Sequence, residues 1–584
     1  MNNKLISFAA AAATLFAMSA CNKDANQIDV VTPGTGTYAK VSISMGTPAT
    51  RATAGVGDKE FDAGSTEEAQ VNSVMLVLYG EEGQVVGYGS TEKSTGPGSH
   101  TEADVSHSYE KVIELTMQGK KDEAKTVVAY VNVANEILPL NEASEETTTE
   151  IGKLGEFVMT NAAFFDTSDN DKWKVATDIV SGSLYSSPEA AAAGDVKTII
   201  YVERLAAKVN VSLKGTDIDT EAKINIVGAD GETEYVLDFN AAEAVWAPTG
   251  TAPEMYKLKN QWTETNLGSW TTGGTNRNFW AKGYYYGLIN DEPDFTGTLN
   301  YVSSNALRKT GADKKGIAMG GDGYTTEHTY GQEVVEHEDY NALGAATSAF
   351  ILGQYQVTGD GADKFKKTIE IDDTDRSYEG YDFYLLLNTI AEKENYTIFT
   401  EKELVDYLFN AQNPGLPELY VDDEGDSKFV ASDYYTVKWE VIEGENGGKK
   451  QYVLEEKDEV PTTLYTEDGN EYSGDIVTSK GTNARHYNLG YAYFYAPIEH
   501  LGEEGKVGQY GVVRNHSYQL TVNKINGLGA PLDDDHFGTD PNNPDPDPED
   551  PGEEPIIPDP DETALIKAEL RVLSWHVVTQ GVDL

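Results

Sequence analysis

The chain has 584 residues and a formal net charge of −53, with 97 Asp and Glu against 44 Lys and Arg. Neutralising a phosphate backbone needs clustered Lys and Arg, so this balance excludes a nucleic-acid partner and electrostatic docking on anionic lipid, and suits solubility at high local concentration. Hydrophobic residues at 39% can build cores for two or more domains, while aromatics at 10%, led by 34 Tyr, together with 56 Gly favour β-structure.

Lys4 supplies a short positive region before the apolar, alanine-rich run Leu5 to Ala17, which closes on Met18-Ser19-Ala20-Cys21. The run is too short for a hydrocarbon core, which takes roughly 20 residues, and small residues at its end mark a cleavage site. An ordinary secretory signal with an incidental cysteine would read similarly. Cys21, however, is the only cysteine in the chain, and a lone thiol cannot staple its own chain and is a liability in an oxidising compartment. The segment resembles the lipobox of bacterial lipoproteins, which implies a diacylglycerol thioether on Cys21. Residues 1–21 are therefore expected to be signal peptide and lipobox. No later apolar run is long enough to span a membrane, so the rest is expected to be soluble beyond the inner membrane.

Residues 22–37 form a polar tether with Pro33, Gly34 and Gly36. Tyr38 to Gly46 then reads as a strand, because Ala39, Val41, Ile43 and Met45 alternate with Lys40, Ser42 and Ser44, one buried face against one wet face. The Pro- and Gly-containing stretch 47–58 breaks the pattern and presents Arg51-Ala52 in a loop. Residues 52–215 are expected to form one antiparallel β-sandwich, with strands at 71–79 and 125–134 and two more around Arg204 within 196–213. Short helices are expected at 153–165 and 188–194. Residues 216–530 read as a second, larger β-sandwich domain with Gly-, Asn- and Thr-rich insertions at 250–278 and 306–344. One helix is marked there by a Thr400/Glu403 capping box, with Leu404, Tyr407 and Leu408 on one face, as a surface decoration.

Residues 531–562 change character: Asp-Pro and Glu-Pro repeats carry no apolar periodicity, and no Lys or Arg occurs between Asp533 and Glu562. Such a stretch is an extended, self-repelling linker. In 563–584 alternation returns, with Ile566, Ala568, Leu570 and Val572 against Lys567, Glu569 and Arg571. Trp575 and Val577 continue on the other parity, which predicts a bulge after Val572.

Three features belong together: a strand shortly before an arginine, a strand at the chain's end, and a stiff linker that lets the second strand reach away. Removing the first strand from a sandwich would leave an unpaired edge over an apolar groove, which a strand from another molecule could refill. Donor and groove are different surfaces, so repetition gives an open filament. Pairing of both strands inside one chain, with the linker as a surface loop, fits the pattern equally well.

Several stretches resemble the fimbrillin superfamily of Bacteroidales: the lipobox followed by a strand and an Arg-Ala pair, and Glu203-Arg204-Leu205-Ala206-Ala207-Lys208-Val209. The C-terminal third is similar to major subunits of minor fimbriae, through Tyr491 to Ala496, Val513 to Ile525, Gly527-Leu528-Gly529, the Pro541 to Pro546 linker and the last strand centred on Trp575. Residues 231–480 carry no such likeness. The resemblance implies two transthyretin-like β-sandwich domains in an exported subunit that reaches the outer membrane as a lipoprotein. It implies that a trypsin-like, arginine-specific protease cuts Arg51-Ala52, removing residues 22–51 with the strand of Ala39, Val41, Ile43 and Met45. The terminal strand (Ile566, Ala568, Leu570, Val572, Trp575 and Val577) would then polymerise a stalk of identical copies, head to tail, with accessory tip and anchor subunits, supporting adhesion and biofilm. The lipid would belong to the precursor only, and the processed chain to an extracellular fimbrium.

No zinc-protease helix, nucleophile elbow or phosphate loop occurs, and no catalytic residue, cofactor or metal is expected. His328 and His337 with Glu333, Glu336 and Glu338, the Asp422-Asp423-Glu424-Gly425-Asp426 run, and Asp533 to Asp535 read as solvated acidic loops, since none has calcium-loop spacing. Trp270, Trp280 and Tyr284 to Tyr286 read as packing residues before sugar platforms. The rival readings are a fimbrial tip or anchor component, and a monomeric glycan-binding surface lipoprotein that keeps its lipid and first strand.

Overall fold

The computed structural model describes residues 36–45, 61–62, 64–91, 107–133, 147–162, 164–166, 172–195, 197–213, 223–260, 282–285, 299–302, 307, 316–330, 346–370, 377–390, 393–442, 449–500, 508–522, 528–532 and 568–575. Cys21, Arg51, Ala52, residues 533–562 of the linker, Ile566 and Val577 lie outside the described residues.

The chain is mostly β. Its first part contains β1 (Thr37–Met45), β2 (Val74–Tyr79), β3 (Val85–Thr91), β4 (His107–Met117), β5 (Thr126–Val131), β6 (Met159–Asn161), β7 (Leu184–Tyr185), α1 (Pro188–Ala193) and β8 (Thr198–Arg204). The hydrogen-bonded order β5-β2-β3-β4-β1-β8-β6 closes on itself, because β6 pairs back onto β5 through Tyr130–Thr160 and Val131–Met159. A closed ring of strands has no free edge. Alternate residues fill it, among them Ile43, Leu76, Leu78, Ile113, Val127 and Ile200. Asn161 secures the closure: its amide donates to the Val127 and Val175 carbonyls, both at 3.0 Å, and its carbonyl accepts from the Ala129 N–H at 2.8 Å.

The helix expected over 153–165 does not form. Gly152 and Gly155 take positive φ of 78° and 84°, and a Cβ at Gly152 would meet the Glu156 carbonyl at 2.2 Å. The chain therefore turns here before entering β6. Helix α1 does form, with the Ser187 hydroxyl accepting from the Ala190 N–H and proline in the first turn.

Leu205 and Ala206 carry the chain from the ring into a second body. This contains β9 (Ala207–Leu213), β10 (Lys223–Gly228), β11 (Glu234–Phe239), β12 (Val245–Thr249), β13 (Asp322–Thr325), β14 (Ser348–Thr358), β15 (Phe383–Ile390), β16 (Lys393–Phe399), α2 (Glu401–Gln412), β17 (Tyr435–Ile442), β18 (Lys449–Glu456), β19 (Tyr491–Pro497), β20 (His516–Val522) and β21 (Ala568–Trp575). One sheet runs β21-β20-β9-β13; the other contains β12-β14-β11-β10-β16-β15, with β19 also paired to β14. Val209, Val211 and Leu520 of the first sheet meet Leu237, Trp246 and Phe494 of the second in one buried core. Thus β8 and β9, adjacent in sequence, belong to different sheets, with Leu205 and Ala206 between them.

Helix α2 is capped as its sequence predicts, with the Thr400 hydroxyl and the Glu403 carboxylate each serving the other's backbone N–H. Its buried face is Leu404, Val405, Leu408 and Phe409, whereas Tyr407 is 42% exposed. The helix packs between the β15–β16 pair and the β17–β18 hairpin and shares a core with Phe429, Tyr435 and Tyr452. Two covered sides turn the apolar face toward Val405 and Phe409 and make the helix part of a core, not a decoration.

Candidate functional site

Strand β1 sits inside the ring. It pairs antiparallel with β4 along its whole length, Thr37–Leu115 to Met45–His107, and parallel with β8 from Val41–Thr198 to Met45–Val202. Tyr38 and Ala39 pair instead with β7, which prolongs the β8 side. Ala39, Val41 and Ile43 are buried at 3%, 3% and 1% exposure, as the alternation predicts. Met45 is placed here by its backbone pairing alone. On the other face the Lys40 ammonium donates to the Gly194 carbonyl at 2.8 Å and the Ala192 carbonyl at 3.4 Å, and the Tyr38 hydroxyl donates to Glu114 at 3.3 Å. Beneath Ala39 and Val41 lies an apolar hollow that Leu76, Leu78, Ile179 and Leu184 also line.

The terminal strand β21 lies far along the chain, antiparallel to β20, with Ala568–Val522, Leu570–Leu520 and Val572–Tyr518 as partners. Phe61 and Asp62 pair parallel to its far end at Ser574 and Trp575. Its register against β20 runs without a shift from Ala568 to Ser574, so the bulge expected after Val572 is absent: the continuous β20 imposes one register on its partner. Both strands that the sequence singles out are therefore paired within their own chain.

The wall of the β1 position and the strand that holds β21 meet at a buried polar joint. The Arg514 and Glu327 side chains are both 0% exposed, with Nη2 at 2.9 Å from Oε1 and Nε at 3.2 Å from Oε2. Arg514 also donates to the Tyr256 and Lys257 carbonyls at 2.7 and 3.2 Å. Glu203, in β8, faces Lys259 at 3.5 Å, and Arg204 donates from Nε to the Glu68 carbonyl at 2.7 Å and from Nη1 to Asn515 at 3.3 Å. Lys208 and the Tyr324 hydroxyl converge on the Glu68 carboxylate at 3.1 and 2.8 Å. Burial alone would push the Glu327 carboxyl up; the Arg514 charge and hydrogen bonds, with Lys259, outweigh it and hold Glu327 below its usual range. Burial dominates at Glu203 and pushes it up despite Lys259 and Arg514. Sequence reasoning marks Glu203-Arg204 and Arg514-Asn515 as part of a resemblance but assigns them no role. Their signal is the placement of charges beside strands that are otherwise apolar.

The acidic stretches behave differently from one another. His328 is buried and its backbone pairs with Val512, while His337 and Glu333 to Glu338 lie outside the described residues. Asp422 accepts from the Asp426 N–H at 2.9 Å in a local turn. Among the described residues no three of His, Cys, Asp and Glu gather in a metal-binding cluster, and no helix is long and apolar enough to cross a membrane. Tyr284 packs edge-on against Tyr256 and Tyr285, with ring centres at 5.6 and 5.0 Å.

No protein of curated function matches the chain significantly. Among solved structures it is similar to a putative cell adhesion protein from Parabacteroides distasonis, at 11% identity and a TM-score of 0.33 over 93% of this chain and 99% of that one. It is also similar to a fimbrial assembly protein from the same organism, at 9% identity and a TM-score of 0.25 over 72% and 96%. A third is the tip fimbrial protein Mfa3 from Porphyromonas gingivalis with a C-terminal truncation, at 11% identity and a TM-score of 0.24 over 62% and 98%. A family model described as "Major fimbrial subunit protein type IV, Fimbrillin, C-terminal" matches residues 485–581. Over that stretch, which carries β19, β20 and β21, the chain matches the fimbrillin C-terminal family.

Proposed function

We propose that the chain is the structural stalk subunit of a cell-surface fimbria, made as a lipoprotein precursor on Cys21 and polymerised by protease-gated strand exchange. The observation that carries the reading is the place of β1. It is the first described strand, it lies inside a closed ring, and Arg51 follows six residues after its end. Cutting at Arg51-Ala52 detaches β1 from the chain that keeps the ring. Its loss opens a slot nine residues long between β4 and β8. Val41 and Ile43 each contribute about 1.5–3 kcal/mol through burial, so a vacated slot recruits another alternating apolar strand. Strand β21 of a second copy has that pattern, and cis pairing with β20 keeps it from its own ring until a partner is available. The fimbrillin match over 485–581 supports the fimbrial class. A chain with both a removable strand and a donor strand suits the stalk rather than the tip or anchor.

Arg51→Ala should trap lipidated precursor, and deletion of residues 564–584 should leave exported, folded, unpolymerised subunits. Sequencing surface protein from its N-terminus decides between classes. A start at Ala52 fits the stalk; a lipid-blocked Cys21 on mature surface protein sinks it in favour of a permanently anchored lipoprotein.

A further inference from the structure

We propose that the slot holds a register-setting subsite for a lysine, where Lys567 of a second copy takes the place of Lys40. The inference rests on the strand-exchange reading above and specifies how the incoming strand is seated. The acceptors are the Gly194 and Ala192 carbonyls at the C-terminal end of α1. Carbonyls there lack helical partners and carry partial negative charge, which favours a cation. They belong to the ring and stay when β1 leaves. The segment that presents them pairs with β1 through β7 but has further holds on the rest of the ring: the Lys121 ammonium donates to the Tyr185 carbonyl at 3.2 Å, and the Ser183 and Thr198 hydroxyls bond at 2.8 Å.

The inner face supplies a second constraint. Ala39 and Val41 stand over the apolar hollow, which Leu76, Leu78, Ile179 and Leu184 also line, so an incoming strand must present apolar residues at these two positions. The nine-residue antiparallel ladder with β4 favours an incoming strand that keeps the direction of β1.

Few registers of the terminal strand meet both constraints. With Ile566 at the Ala39 position, Lys567 lies over the carbonyls, and Ala568, Leu570 and Val572 follow Val41, Ile43 and Met45. Moving two residues one way sets Leu565 over the carbonyls; moving two the other way sets Glu569 there. Setting Arg571 over them brings Ser574 to the buried Ile43 position. Placing Trp575 inward at Val41 leaves Ser574 at the cation site. The favoured register has one unfavourable pair, Glu569 opposite Glu110, since Ser42 pairs with Glu110 in the ladder; Lys567 and Arg571 flank it two residues away on either side.

Cysteine pairs read the register directly. Ser108 lies opposite Ser44 in the ladder, close enough across an antiparallel pair for a disulfide, and the favoured register brings Arg571 to that place. Precursor starting at Asn22, and so free of Cys21, carries Ser108→Cys in one population. The other carries Glu569→Cys, Arg571→Cys or Leu573→Cys, each of which keeps Lys567, and the mixtures are activated with an arginine-specific protease. The expected product is an intermolecular adduct with Arg571→Cys in clear excess. An excess at 569 or 573 overturns the register and leaves strand donation standing. No adduct at any of the three overturns the register too, and fibre formation by the chain lacking 564–584 then shows whether strand donation falls with it. Lys567→Met should slow assembly about threefold to tenfold, the scale of one hydrogen bond, with Lys567→Arg near the parent rate; unchanged assembly by Lys567→Met rejects the subsite.

Discussion

Replacing Arg514 by methionine tests whether the buried polar cluster on the second body's side of the joint holds by charge. The substitution removes the guanidinium that binds both Glu327 oxygens and the Tyr256 and Lys257 carbonyls. It leaves the Glu327 carboxylate at 0% exposure. Breaking one partner from a buried pair costs about 3–5 kcal/mol, most of it the penalty of the charge left behind. Replacing both partners, Arg514→Met with Glu327→Leu, should recover most of that loss. The pH dependence has a definite sign. In the parent, Glu327 has a folded pKa below its unfolded value, so its stabilisation is present above the unfolded pKa and is lost as pH falls through the folded one. Without Arg514, burial dominates and raises the folded pKa above the unfolded value. The variant then loses stability as pH rises through that window and regains it in acid. Glu203, already raised by burial, acts in the same direction in both proteins. Urea unfolding of parent, single and double variants at pH 5 and pH 8 measures this, with the single-variant deficit expected to be larger at pH 8. A deficit below about 1 kcal/mol, or one that grows on acidification, refutes the reasoning.

Ile43→Ala should destabilise the precursor ring by about 2–5 kcal/mol, since Ile43 is 1% exposed in the ring core. The processed chain lacks the residue and should match the parent in thermal unfolding; a precursor as stable as the parent would show that β1 is not seated as described. Thr400→Ala breaks the capping box of α2 and should cost about 0.5–2 kcal/mol, read as faster amide exchange in 401–404, with protection in β2 and β5 unchanged.

Much of the fold is legible from local pattern. The alternation of Ala39, Val41 and Ile43 predicts a strand with one buried face, and the capping box predicts where α2 begins, because both signals come from residues within a few positions of each other. The helix expected over 153–165 fails because two glycines in positive φ turn the chain, and backbone conformation outweighs a loose apolar count. Tyr407 is exposed because the face a helix buries depends on which sides are covered, and the β17–β18 hairpin covers a side that spacing cannot reveal.

The candidate site divides in the same way. The sequence by itself determines that the chain carries two alternating strands near its ends, one preceding an arginine and one following an acidic linker, since periodicity and composition are local properties. Tertiary structure alone decides that β1 closes a ring between β4 and β8, that Leu205 and Ala206 pass the chain between bodies, and that Arg514 meets Glu327 across 187 residues. These depend on which distant segments pair. That choice is made by the summed burial and hydrogen bonding of the whole fold, which no short window of residues contains.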